Sequence, residues 1–379
     1  MTWLIVGAGL SGSVIAERIA NINNEKVLVI DKRDHIGGNC YDYIDNETKI
    51  LMNKYGAHLF HTNNKEVWDY INKFDKWIRW EHKVLAYVDN KYVSIPVNIN
   101  TVNELCNENI KDEIEFQEWF SKNKIEYQTI ENSEQMCKSR VGDKLYDKLF
   151  KYYTFKQWNK YPHELHYSVL ERIPIYNNFD TRYFNDKYQA LPEKGYTNFF
   201  NNLLNHHNIN IKLNTDFDDF RKQNDMKQFK GIIYTGPIDH YFHKTSNESD
   251  KLEYRSIDFK IERYYNMNFY QPNSVVNYPQ NDVEFTRIVE YKHFLNQKQP
   301  HTLIVSETTN DSGEPFYPIL NKRNLDLYEK YKIMAENEEK NKNVFFVGRL
   351  ANYKYFNMDQ AISNALELFN NKIIYHDHI

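Results

Sequence analysis

Cysteine is almost absent from this chain, with three residues, Cys40, Cys106 and Cys137, among 379. They are far apart, odd in number and form no CxxC pair, which excludes a disulfide framework and a cysteine zinc site. An excess of either charge is lacking too. The 48 basic and 52 acidic residues leave a formal net charge of −4. That is no footprint for nucleic acid or an anionic membrane surface, so any bound anion must be held by a local group of cations. No apolar run approaches the ~20 residues of a spanning helix, and Met1 to Val6 is too short for the apolar part of a signal peptide. The expectation is a cytoplasmic protein with neither a membrane nor a nucleic-acid partner. Glycine is scarce, 12 in all, yet Gly7, Gly9, Gly12, Gly37 and Gly38 all fall near the start of the chain. Such clustering asks for a backbone reason.

What is present fits two or three domains, at 41% hydrophobic and 26% charged residues. Trp3 to Val6 reads as a buried strand, Gly7-Ala8-Gly9-Leu10-Ser11-Gly12 as a tight turn, and Val14, Ile15, Ala16, Ile19 and Ala20 as one apolar helix face. A second strand, Val27 to Ile30, ends at Asp31. This is a βαβ unit of the dinucleotide-binding kind: Gly7 permits the turn, Gly9 lets a pyrophosphate approach the backbone, Gly12 allows close helix packing, and Asp31 accepts from a ribose hydroxyl.

Further on, Leu85 to Val88 and Tyr92 to Ile95 flank Asp89-Asn90 and predict a β-hairpin. Residues from about Val102 to Leu170 are helical and polar in pattern, with Val141, Leu145 and Leu149 the clearest apolar spacing. A helix from Thr197 to Leu204 and strands Ile209 to Leu213 and Gly231 to Thr235 resume the opening alternation. Ile257 to Tyr264, Ser274 to Tyr278, Glu284 to Glu290 and Thr302 to Glu307 predict a largely antiparallel sheet. Strand Val344 to Val347, Gly348 and a helix from Met358 to Phe369 close the chain in α/β style.

The residues after Asp31 narrow the cofactor. Lys32 to Asn39, containing Gly37-Gly38, is similar to the acidic-x5-GG extension of FAD proteins of the glutathione-reductase-like class. Gly348-Arg349 and Asn357 to Ile362 resemble that class's C-terminal flavin motif. A helix beginning at Met358 would aim peptide dipoles at the flavin's pyrimidine edge and favour the reduced anion by ~0.3–2 kcal/mol. Arg349 reads as a partner of the pyrophosphate or as a surface arginine. The aromatics Phe150, Tyr153, Phe155 and Trp158 suit either a helix core or the stacking of a nucleobase. His58 and His61 have HxxH spacing, but no third ligand motif joins them, so no metal is expected.

Eleven stretches in order, GAGLSG, RDHIGGN, YGAHLFHT, YTFKQW, ERIP, YFNDKYQALPEKGYT, YTGPIDHYF, LEYRSIDF, FTRIVE, EPFYPI and GRLANYKYFNMD, resemble the prokaryotic-type UDP-galactopyranose mutase family nearly end to end. The resemblance implies an α/β fold with a Rossmann-like, glutathione-reductase-like FAD-binding domain, an inserted helical domain and a largely antiparallel sheet domain. Residues 1–80, 192–250 and 331–379 would form the discontinuous FAD-binding domain. Residues 98–191 would form the helical substrate domain, with a mobile loop at about 166–178, and 81–97 with 251–330 the antiparallel β-sheet domain.

It further implies an isomerase that interconverts UDP-galactopyranose and UDP-galactofuranose, or a close nucleotide-hexose analogue. Attack of reduced FAD N5 on the anomeric carbon would do this without net redox change, in the supply of furanose to cell-surface polysaccharide. Arg172 and Arg287 would clamp the diphosphate as bidentate forks, and His58 would sit at the flavin as the third catalytic residue. Phe150, Tyr153, Thr154, Trp158, Tyr183, Asn277, Tyr317 and Tyr355 would complete the substrate site. Gly7, Gly9, Ser11, Gly12, Asp31, Lys32, Gly38, Asn39, His58, Leu59, Phe217, Arg349, Met358 and Asp359 would hold FAD. An external reductant such as NAD(P)H and a homodimer follow from the same resemblance. The chain departs from the family at Asn357, where Asp is usual, at His82 for Asn, and at Ala57 for Pro. These leave open whether the sugar is galactose, its N-acetylated analogue or a dTDP-linked 6-deoxy sugar. Two other readings share the flavin motifs or the fold: an FAD-dependent amine or alcohol oxidase, and a non-enzymatic binding protein of the Rab escort kind.

Overall fold

Five strands, in the order Ile209–Lys212, Lys26–Ile30, Thr2–Val6, Phe229–Tyr234 and Val344–Phe346, form an all-parallel sheet. They read as near-continuous apolar runs because both faces are covered. Trp3, Ile5, Val27 and Val29 pack under the helices Leu10–Ile22, Tyr196–Leu203 and Met358–Leu368. Leu4, Val6 and Ile30 face the opposite layer with Phe217, Phe220 and Tyr234. The computed structural model describes residues 1–242 and 250–374. Residues 243–249 and 375–379, which the sequence reading gave to the FAD-binding domain, lie outside the described residues. The α/β class expected from the sequence is the class observed.

A second sheet has seven strands in the order Tyr317–Pro318, Tyr254–Tyr264, Thr302–Asn310, Arg287–Glu290, Val275–Asn277, Val84–Val88 and Lys91–Ile95. Every neighbouring pair is antiparallel except Val275–Asn277 beside Val84–Val88. The hairpin closes with Val88 opposite Lys91, and Asp89 and Asn90 both take positive φ, 51° and 61°. That is the turn whose twist matches its strands, and Asp and Asn tolerate its left-handed backbone. Register places Ala86, Asn277, Arg287, Glu307 and Phe259 in one row across five strands. Residues in register share a face of the sheet, so Arg287 has Asn277 on one side and Glu307 on the other.

The helical region resolves into Ile99–Cys106, Glu113–Asn123, Ser133–Leu145 and Lys151–Trp158. The last two are joined by a π-helical turn, Tyr146–Phe150, and bent at Gly142, whose φ is 74°. Several elements had no reading in the sequence, the longest of them a strand and a helix. Strand Tyr188–Pro192 pairs with both Phe60–Thr62 and Trp77–Arg79, and helix Lys322–Lys342 is largely polar. Among the described residues, no helix is long and apolar enough to cross a membrane.

Candidate active site

The first part of the site lies at the carboxyl ends of the parallel strands, where an open α/β sheet leaves a crevice. Gly7 follows the first strand and donates its N–H to Ile30 O (2.8 Å). Helix Leu10–Ile22 starts at Gly9 with no side chain capping it, so its first N–H groups are free to meet an anion. A Cβ on Gly12 would lie 2.0 Å from Gly7 O, and one on Gly38 would lie 2.8 Å from Gly9 Cα. The two glycine motifs therefore pack backbone against backbone. Asp31 closes the second strand, and its carboxylate accepts from Ala8 N (2.8 Å) and Arg33 N (2.9 Å). Lys32 pairs with Glu314 (2.7 Å), and Asn39 Oδ1 accepts from Arg33 (3.0 Å). The C-terminal motif meets the N-terminal one here, because a Cβ on Gly348 would touch Ser11 Oγ at 2.8 Å. Phe217 is spent on the core against Tyr234 and Tyr241, while nearby Thr215 N bonds Asp31 O (2.8 Å).

The second part surrounds the segment Gly56 to Thr62. His58 Nδ1 is 2.8 Å from Gly56 O, a partner that can only accept, so Nδ1 carries the proton and Nε2 is left as an acceptor. Burial, aided by the nearby Arg349 and Arg287, lowers its pKa to about 4, so the ring is neutral at physiological pH. Leu59 packs into the sheet's core cluster, and Met358 onto the core of the parallel sheet. Thr62 Oγ1 donates to Asp359 Oδ2 (2.9 Å) at the start of helix Met358–Leu368, and Gln360 Oε1 accepts from Asn357 N (2.9 Å). Glu307 Oε1, Tyr291 OH and Asp359 Oδ1 are buried here without a partner among the described residues. Glu307 Oε1 sits 3.1 Å from where a Gly56 Cβ would lie, and Tyr291 lines a small pocket with His58. An unpaired buried polar atom costs on the order of 1–3 kcal/mol. A polar ring system, such as an isoalloxazine with its nitrogens and carbonyls, fits this donor and acceptor set.

The third part is a group of cations set among tyrosines. Arg172 places its guanidinium carbon 3.9 Å from the centre of Tyr355. Tyr355 stacks on Tyr317 with ring centres 5.1 Å apart at 12°, and Trp158 leans on both. Arg349 approaches the same pair, 5.1 Å from Tyr317 and 5.5 Å from Tyr355, and donates to Phe356 O (2.6 Å). Arg287 Nε bonds Glu307 Oε2 (2.6 Å). Burial would raise Tyr355's pKa, but Arg172, Arg349 and Arg287 together pull it below the usual phenol value. Desolvation by packed neighbours works against the charge of each guanidinium, although Arg172 as a residue is exposed and Arg287 half-buried, and both end above the ordinary value. Tyr355 and Tyr183 hold the first up, Glu307 and Tyr153 the second.

Not every expected substrate residue presents itself alike. Thr154 and Trp158 are buried, at 2% and 4% exposure, and Trp158 joins a small core with Leu165, Val169 and Ile319. Phe150 packs against the helical core and Phe155 stacks on Tyr161 (4.6 Å), so part of the aromatic run is core. Tyr153 and Tyr183 stand within electrostatic reach of Arg287, and Asn277 is beside it in register. Arg349, read as a pyrophosphate partner, lays its guanidinium between the neighbourhood of His58 and the tyrosines. Sequence reasoning missed Glu307, which register alone places under Arg287. It also missed Lys156, whose ammonium donates to Tyr278 O, Gln280 O, Val283 O and Phe285 O at 2.5 to 3.2 Å and so braces the loop leading to Arg287. His61, the other HxxH member, bonds Asp186 (2.8 Å) and stacks on Phe184. Among the described residues no three His, Cys, Asp or Glu side chains are grouped to hold a metal.

Comparison with known proteins gives this geometry a context. Residues 148–355 match the family model described as UDP-galactopyranose mutase, and residues 5–74 match the NAD(P)-binding Rossmann-like domain. The chain is 38% identical over 371 residues to a probable UDP-galactopyranose mutase of Klebsiella pneumoniae, covering 96% of this chain and 92% of that one. It is 34% identical over 371 residues to a dTDP-fucopyranose mutase of Escherichia coli, covering 96% of each. A crystal structure of reduced UDP-galactopyranose mutase superposes with a TM-score of 0.76 at 14% identity, over 100% of this chain and 93% of that one.

Proposed function

The chain belongs to the UDP-galactopyranose mutase family, and from that premise we propose that it interconverts UDP-galactopyranose and UDP-galactofuranose with FAD in its reduced form. The observation that carries the reading is the group Arg172, Arg287 and Arg349 around Tyr317 and Tyr355, placed next to His58 and the glycine cradle. When bound, the reduced flavin supplies an electron-rich nitrogen nucleophile for the anomeric carbon, with no net redox change.

The chain's own residues do the rest. Gly9, Ser11 and Gly12 would offer free N–H groups and close approach to the FAD pyrophosphate, Gly7 the tight turn that brings them there with its own N–H spent on Ile30 O, and Asp31 would meet the ribose. Gly38, Asn39, Lys32 and the backbone near Phe217 border the same end. His58, neutral and with Nε2 open, would hold the cofactor ring together with Leu59, and Asp359 and the N–H groups at Met358 would meet its polar groups. Arg172 and Arg287 bind the diphosphate oxygens and neutralise the charge that grows as the sugar–phosphate bond breaks. Tyr153, Tyr183, Tyr317 and Tyr355 donate hydroxyls at little entropic cost. Phe150, Thr154 and Trp158 wall the nucleotide, with Asn277 beside the sugar. Closure of the Arg172 segment excludes water from the reacting centre. We further infer a homodimer in the cytoplasm, recharged by an external reductant such as NAD(P)H, that supplies furanose to cell-surface polysaccharide.

A dTDP-linked 6-deoxy sugar is the second reading. The 34% identity to a dTDP-fucopyranose mutase supports it, and the departures at His82 and Asn357 leave it open. Chromatographic product analysis under dithionite, with a panel of UDP- and dTDP-hexoses, tests both. A furanose product from UDP-galactose supports the first reading, and one from the dTDP-sugar alone supports the second. No ring contraction with any member overturns the proposed activity.

A further inference from the structure

The Arg172 segment is held down by a residue that the proposed chemistry does not use. Arg172 directly follows a helix of only four residues, Ser168–Glu171. One turn fixes several backbone dihedrals for few hydrogen bonds and is not stable alone. Its carboxyl end also leaves carbonyls without intrahelical partners. On one side the segment is anchored by Ser133, which donates N–H to Leu165 O (3.0 Å) and Oγ to His166 O (2.6 Å). On the other side Tyr176 N reaches Val97 O (2.9 Å).

Between these anchors stands Arg140, on helix Ser133–Leu145. Its Nη1 donates to Leu170 O (3.2 Å) and Glu171 O (2.8 Å), and its Nη2 to Ile173 O (2.7 Å). One planar fork thus grips the backbone on both sides of Arg172. It also places a cation at the carboxyl end of the short helix, where the peptide dipole favours one. Burial pulls the Arg140 pKa below the ordinary guanidinium value, and three backbone carbonyls accept from its N–H groups. The neighbouring helix face is core: Cys137 and Val141 are buried and Ile173 packs against the same cluster. The fork therefore ties a thin segment to a solid element.

We propose that Arg140 is a positioning residue, a latch on the carbonyls of Leu170, Glu171 and Ile173 that keeps Arg172 over Tyr355 and the substrate site. The inference rests on the reading of Arg172 as a diphosphate ligand. Lysine at this place keeps the charge but not the two-nitrogen fork that spans Glu171 O and Ile173 O.

Hydrogen exchange of the full-length, FAD-loaded protein tests the latch without turnover. In Arg140→Met, amides of residues 168–175 should exchange about tenfold faster, the effect of losing a charged donor's bonds net of water's replacement. Exchange in Ser133–Leu145 and in the parallel sheet should stay as in the wild type. Arg140→Lys should fall between the two and carries the same test where Arg140→Met does not fold. The Kd for UDP should weaken about tenfold in Arg140→Met, because a smaller closed fraction lowers apparent affinity in proportion. Steady-state KM should rise more than kcat falls. Unchanged exchange at 168–175 in the folded variants overturns the latch, as does equal acceleration throughout Ser133–Leu145. If wild-type protein binds no UDP while the exchange result holds, the diphosphate reading fails and the latch stands.

Discussion

The Arg172 guanidinium carbon lies 3.9 Å from the centre of the Tyr355 ring, and that ring is itself stacked on Tyr317. The geometry is a cation on a π face, worth ~0.5–2 kcal/mol depending on how dry the site is. A guanidinium has five N–H donors, so this contact still leaves donors to meet phosphate oxygens. Arg349 adds a second cation against the same ring pair, and Arg287 a third nearby. Among the described residues, Arg287 alone of the three is paired with a carboxylate, Glu307. The remaining positive charge is what a doubly charged diphosphate would neutralise.

That asymmetry separates two mutants. Arg172→Ala and Arg287→Ala should each lower turnover by roughly 10²-fold or more, the size of a lost electrostatic donor. Arg287→Ala also strands the Glu307 carboxylate, 1% exposed, and should cost about 3–5 kcal/mol of stability. Arg172→Ala leaves no such orphan and should unfold near the wild-type denaturant midpoint. Steady-state kinetics and urea unfolding check both halves; wild-type rates in either mutant would contradict the clamp.

His82 is 3% exposed among Tyr183, Phe184 and Phe294, its Nδ1 has no partner, and burial, with Arg287 and His61 near, lowers its pKa to about 3. The folded pKa lies below the unfolded value of about 6.5, so the unfolded chain takes up a proton first as pH falls. Stability should therefore drop between about pH 6.5 and 3, with about 2 kcal/mol lost to this group by pH 5. His82→Asn should flatten that limb. Urea unfolding at pH 7.5 and 5 gives the difference, and parallel acid limbs in mutant and wild type would contradict it.

Gly38 has φ +55°, and a Cβ there would meet Gly9 Cα at 2.8 Å. Gly38→Ala should force the two glycine motifs apart and lower bound flavin per protein by roughly tenfold, since neither backbone can yield without moving its neighbour. The ratio of flavin to protein absorbance after purification reads this directly. Full flavin content in the mutant would show that the motifs do not have to touch.

Much of this was legible from local signals. The glycine spacing and Asp31 placed the first unit of the parallel sheet because turn chemistry there depends on neighbouring residues. Asp89-Asn90 gave the hairpin for the same reason. Strand Tyr188–Pro192 was not legible, since its two antiparallel partners lie over a hundred residues away in sequence and pairing carries no local mark. Helix Lys322–Lys342 shows only a thin buried stripe, Asn324, Leu327, Tyr331 and Ala335, in a polar background. In the site, Arg172 and Arg287 stood out only through the family resemblance. Glu307, Lys156 and Arg140 were invisible because their partners are a cross-strand neighbour or backbone carbonyls, and carbonyls have no residue type to recognise.

The central claim is that this chain interconverts the furanose and pyranose forms of a nucleotide-linked sugar only while its flavin is reduced. The direct measurement is anaerobic incubation of the FAD-loaded protein with UDP-galactofuranose, the sugar isomers being separated by chromatography before and after dithionite reduction. UDP-galactopyranose should appear in the reduced sample and be absent from the oxidised one. Equal conversion in the two samples would contradict the account.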